Sequence, residues 1–170
     1  MLRKKHHPLL FIANVFIFTF VILFDTSELA DISIKTATPM LVLPLLSAYA
    51  FFASTGHCIV VGAITGAFID SVSYGAYSFN TIALLLLAVA VSLLSNNLFN
   101  KNIRAAVVLT FLVSAVYFIL LWLFFYTVAG DMKSSLGYLL KYAIPSAVYS
   151  TAFILPFYYI YRKFNNIKER

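Results

Sequence analysis

Apolar residues along this chain form long, nearly continuous runs separated by short polar groups. Six runs predict six helices that cross a membrane: Pro8–Phe24, Thr36–Ala53, Cys58–Tyr74, Phe79–Phe99, Ala105–Val128 and Tyr138–Tyr161. Each lies near the roughly 20 residues that a helix needs to cross a hydrocarbon core about 30 Å thick. The third run is the weakest, because only Cys58–Ile69 is uniformly apolar.

Composition fixes the solvent. The chain has 170 residues, of which 62% are hydrophobic and 11% charged, and its mean hydropathy is +0.94. A soluble domain carries about 25% charged residues, so this much apolar surface implies lipid. The fold class expected is an all-α integral membrane protein, one polytopic domain with six transmembrane helices in one bundle. No polar stretch is long enough for a separate soluble domain.

The connections set the orientation. Arg3, Lys4, Lys5, Lys101, Arg104, Arg162, Lys163, Lys168 and Arg170 fall on one side if both termini are cytoplasmic, leaving Lys35, Lys133 and Lys141 on the other. That asymmetry follows the positive-inside rule and agrees with an even number of spans. The first connection, "DTSELADISIK", is acidic. A cleaved signal peptide is the competing reading of "RKKHH" and the run after it. The exit "SELADIS" places Glu28 where a small residue is required before a cut after Ala30, which argues against cleavage. No fixed-period repeat is visible, and the two halves lack the matching Gly or Pro breaks of an inverted-repeat transporter.

Charge and chemistry exclude several classes. The net charge of +6 lies in small groups at segment ends rather than in a stripe, so no nucleic-acid interface is expected. His6 and His7 belong to a basic tail suited to anionic headgroups. His57 sits in a short turn, "STGHC", beside Cys58, and the three or four ligands of a metal site are not assembled. Cys58 is the single cysteine, so no internal disulfide can form. There is no GxSxG elbow, no pair of carboxylates within a span and no phosphate-binding loop. Neither an enzyme nor a cofactor or metal requirement is expected.

One segment stands out. In "GAITGAFID", Gly62, Gly66 and Asp70 recur every four residues and share a helix face. Gly-x-x-x-Gly spacing lets two helix backbones approach closely in lipid, either within the chain or against a partner. Asp70 continues that face about 20 Å from His57, near the far interface, where a carboxylate needs a partner. Lys141, one turn into the sixth span, is the ion-pair candidate; a cap on the backbone of Ser73, Tyr74 or Gly75 is the alternative. In the sixth span, Pro145 and Pro156 each remove a backbone donor and kink the helix. Ala143 with Ala147, and Ser146 with Ser150, form small faces, while tyrosines gather at both ends as an interfacial belt.

The order of these features resembles the rod shape-determining MreD family. The resemblance is densest from "GAITGAFIDSVSYGAYSFNTIALLLL" through "SLLSNNLFNKNIRAAVVLTFLVSAVYFILLW". It includes Asp70, Gly75 in the next turn, the "NLFNKN" connection and Tyr117. "IPSAVY", from Pro145 to Tyr149, and the basic tail complete it. Family members often carry Asn after that tyrosine, where this chain has Ser150. The resemblance implies a non-catalytic component of the cell-wall elongation machinery in the bacterial cytoplasmic membrane. The implied partners are MreC and, through it, the MreB filament system, the RodA glycosyltransferase and its penicillin-binding transpeptidase. The rival resemblance is to the substrate-binding S component of an energy-coupling-factor vitamin transporter. There Asp70, Tyr74, Tyr77 and Asn80 would form a pocket, and Gly62 and Gly66 would meet the coupling subunit.

Overall fold

The computed structural model describes residues 8–27, 39–72, 78–97, 102–124, 137 and 139–169. Among them the chain is helical, with no strand. The helices are α1 (Pro8–Thr26), α2 (Val42–Phe52), α3 (Thr55–Val72), α4 (Phe79–Asn97), α5 (Ile103–Trp122), α6 (Ile144–Ala152) and α7 (Ile154–Glu169). A π-helical turn, Leu139–Ala143, leads into α6. With α6 and α7 it makes one final helical segment, so the described residues form six helical segments.

Four of these segments are long and apolar enough to cross a membrane: Thr55–Val72, Phe79–Asn96, Ile103–Trp122 and Lys141–Asn165. The described apolar part of α1, Ile12–Thr26, and α2 are shorter. The surface is inside out relative to a soluble fold. Phe16 is 71% exposed and Ile64 63%, whereas Ser92, Ser114 and Ser150 are wholly buried. Apolar side chains outward and hydroxyls inward are the pattern of a bundle solvated by lipid.

α2 lies at the centre. Val42, Leu43, Leu45, Ala48, Ala50 and Phe51 are inaccessible or nearly so, and α2 packs against α1, α3, α4, α5, α6 and α7. Its end is clasped by rings: Tyr158 meets Phe51 and Phe52, while Tyr49 stands edge-on to Phe18 and Tyr161. Hydroxyls of α4 tie the α2–α3 junction down, Ser92 donating to the Ala53 carbonyl and Ser95 to that of Phe51.

Two boundaries differ from the sequence reading, and one break agrees with it. Of the expected span Thr36–Ala53, residues 36–38 lie outside the described ones, and the helix found starts at Val42 and runs 11 residues, about 16 Å. Pro44 explains the late start. A proline has no N–H and clashes with the preceding turn, so it fits only near a helix start. Hydropathy continues through it unaffected. His57 lies in the first turn of α3 rather than in a loop, its Nδ1 2.7 Å from Ser54 Oγ. The final span is broken as its prolines predict. The π-helical turn precedes Pro145, and α6 stops at Phe153, whose N–H reaches back only three residues to the Ser150 carbonyl. Pro156 is the cause of that break, since it leaves the Ala152 carbonyl without its helical donor.

Candidate functional site

The glycine face of α3 packs on α4 of the same chain. A Cβ added at Gly62 would lie 2.9 Å from the Leu85 Cα. One at Gly66 would lie 2.5 Å from the Asn80 carbonyl oxygen and closer still to the Thr81 Cα. Real side chains do not tolerate such approaches, so both positions need glycine for lack of room rather than for backbone freedom. The α3–α4 contact is the most extensive in the bundle. Both glycines are buried in it, and neither is left for a partner.

That close approach delivers Asp70 to the start of α4. Its Oδ1 accepts the Asn80 backbone N–H at 3.0 Å and the Asn80 side-chain amide at 2.9 Å. Its Oδ2 accepts the Thr81 N–H at 2.8 Å and the Thr81 hydroxyl at 2.6 Å. The first turn of any α-helix leaves its N–H groups without internal acceptors, and a carboxylate there also meets the positive end of the helix dipole. Normally the preceding residue supplies the cap from an extended conformation. Here that residue is Ser78, turned into the left-handed region at φ 50° and making no side-chain bond to α4. Asp70 takes its place from another helix.

The bonds to Asp70 come from α4 rather than from the ion-pair candidate Lys141: Asn80 and Thr81 donate to both of its oxygens. Lys141 is exposed in the π-helical turn, its Nζ 5.8 Å from the ring centre of Tyr142. Ser73, Tyr74, Gly75 and Tyr77 lie outside the described residues. Pro145 opens α6, and Tyr149 packs on the Phe153 ring; neither meets Asp70.

The network continues inward. The Tyr117 hydroxyl of α5 donates to Asn80 Oδ1 at 2.6 Å, with both residues buried. Asn80 thus bridges two helices, its amide nitrogen toward Asp70 and its oxygen toward Tyr117, and every polar atom in the chain of bonds has a partner. Asp70, Asn80, Thr81 and Tyr117 lock α3, α4 and α5 together.

A second carboxylate, missed at the sequence level, does the same for α2. Leu41 donates its N–H to Asp25 Oδ1 at 3.0 Å and Val42 to Oδ2 at 2.8 Å. The neighbouring Met40 N–H goes to the Ser150 hydroxyl of α6 at 2.9 Å. The residue before α2 is Leu41, which has no side-chain acceptor, so capping must again come from elsewhere. The only signal available in the sequence was an acidic residue closing an apolar run.

No cluster of three or more His, Cys, Asp or Glu side chains occurs among the described residues. Comparison with family profiles, with curated proteins and with solved structures finds no match. The helices and their surface have the character of a multi-pass membrane protein, with a polar interior devoted to fastening one helix to the next.

Proposed function

We propose that the chain is a non-catalytic membrane scaffold of the bacterial cell-wall elongation machinery, the role that its resemblance to MreD implies. One observation carries this reading. The residues on which the resemblance rests, Gly62, Gly66, Asp70 and Tyr117, are those that interlock α3, α4 and α5. Their polar atoms are consumed in holding helices together, which suits a rigid platform better than a reaction centre. Its partners are MreC and, through it, MreB, RodA and a penicillin-binding transpeptidase. The protein sits in the cytoplasmic membrane with both termini inside. Arg104, Arg162 and Lys163 at the His57 end support that orientation.

The test is purification from native membranes in mild detergent, with co-purifying proteins identified by mass spectrometry. Recovery of MreC or RodA is the expected outcome, and their absence from a stable preparation overturns the reading. A second reading, a substrate-binding component of an energy-coupling-factor transporter, draws on the short α2, whose start lies inside the bundle as helix starts do in many transporters. Recovery of a paired ATPase module with a coupling subunit would favour it.

A further inference from the structure

A cleft of about 110 Å³ opens between α5 and the start of the last span. Ala143 and Ala147, 4% and 3% exposed, lie at its bottom with Ala115. Phe111, Phe118 and Ile119 of α5 rise on one side and Ile144 on the other. Small side chains let the two helices approach closely, and the larger, outward-facing ones leave a trough above them. No polar side chain lines it.

The course of the cleft and what stands at its end limit what can fill it. Along α5 it runs from Ile119 to Phe111, eight residues or about 12 Å. That is most of the roughly 15 Å that one leaflet contributes to a core about 30 Å thick. A helix from another chain crosses the whole core and is about 10–12 Å across, so the cleft is too short and too narrow to seat one. A single acyl chain matches on both counts. The end of the cleft at Ile119 carries a cation. Lys141 stands in the π-helical turn three residues before Ile144, and so beside it on the helix surface; both are exposed, and the turn packs on α5. At the same end Trp122, the single tryptophan of the chain, lies one turn beyond Phe118 and Ile119. Tryptophan at a helix end marks the headgroup level, which puts Lys141 at the depth of lipid phosphates.

We propose that this cleft binds an anionic phospholipid, with one acyl chain lying between α5 and the last span and the headgroup phosphate on the Lys141 ammonium. The chain gains dispersion contacts with Phe111, Phe118 and Ile144 on several sides, where a flat helix face offers one. The ammonium selects the headgroup, since a basic residue at the membrane surface attracts anionic lipid. A zwitterionic lipid brings the same acyl chain, but its own choline cation competes with Lys141 for the phosphate. The site needs no partner protein and stands apart from the scaffold reading.

Quenching of Trp122 fluorescence by brominated acyl chains tests this on the full chain in liposomes of phosphatidylcholine. A minor fraction of brominated phosphatidylglycerol is expected to quench about fivefold more effectively than the same fraction of brominated phosphatidylcholine, the preference that one lysine confers. Lys141→Gln should abolish that preference, and Ala115→Leu, which fills the cleft, should weaken quenching by both lipids. Equal quenching by the two lipids in the unmodified chain, or a preference that survives Lys141→Gln, overturns the proposal. Should Ala115→Leu fail to fold, Ile144→Ala removes an exposed wall instead, and unchanged quenching in that variant counts against the cleft. Lys163→Gln, at the other end of the span, should leave the preference intact. Its loss there too would trace the preference to overall surface charge and overturn the site.

Discussion

Asp25 and Asp70 perform the same task in successive helix pairs. Each closes an apolar helix and accepts two backbone N–H groups from the start of the next, Asp25 from Leu41 and Val42 and Asp70 from Asn80 and Thr81. In both cases the residue preceding the capped helix supplies no side-chain cap: Leu41 has no acceptor, and Ser78 is turned into the left-handed region. The two carboxylates are thus structural fasteners between helices.

Asp70→Ala strips a charged acceptor from four donors at once and is expected to cost about 2–4 kcal/mol. Denaturant or thermal unfolding in detergent measures the loss. A double-mutant cycle separates its partners: Asp70→Ala and Thr81→Val should couple by about 1 kcal/mol, whereas Asp70→Ala and Lys141→Ala should be additive. Strong coupling to Lys141 would contradict the capping geometry.

Gly66→Ala should destabilise by about 1–3 kcal/mol through overpacking against α4, and Gly62→Ala less. Gly56→Ala serves as the control, since a Cβ there meets nothing within 4 Å. It should be neutral or stabilise by up to about 1 kcal/mol. Parallel melting curves for the three variants decide the ranking.

Ser150→Ala leaves the Met40 N–H without its acceptor and should cost about 1–2 kcal/mol. Asp25→Ala should cost more, because two donors and the dipole of α2 lose a carboxylate. Amide hydrogen exchange at residues 40–42 should rise in both variants, while exchange at residues 80–81 stays unchanged.

Tyr117→Phe removes only the hydroxyl that donates to buried Asn80. The expected loss is about 1–2 kcal/mol, the cost of an acceptor left unsatisfied in the interior. Melting of Tyr117→Phe, alone and with Asp70→Ala, reports whether the three helices behave as one network: coupled losses support it, and simple additivity would show that the two bonds act separately.

Much of the fold was legible because lipid imposes a simple rule. A chain that satisfies its own backbone in hydrocarbon must form long apolar helices, and the runs of α1, α3, α4 and α5 show them within a few residues. The prolines of the last span likewise announced its breaks, since a missing N–H acts locally. The start of α2 escaped notice because hydropathy passes through Pro44, although that residue's sterics were there to be read.

The candidate site was only half legible. The Gly62–Gly66–Asp70 face follows from helical spacing, and its need for a close neighbour follows from the absent side chains. The identity of that neighbour, and the partners of Asp70, depend on which helix packs there and at what register. Lys141 was the candidate by depth and charge, yet adjacency of the α3–α4 hairpin gave Asp70 four nearer donors. Asp25 and Ser150 carry no pattern that names their donors, because these acceptors matter only where three helices converge on one backbone end. The sequence alone determined the apolar helices, their membrane-spanning length and the small face. Tertiary structure decided which polar atoms meet, since hydrogen bonds act over about 3 Å and that distance is set by packing.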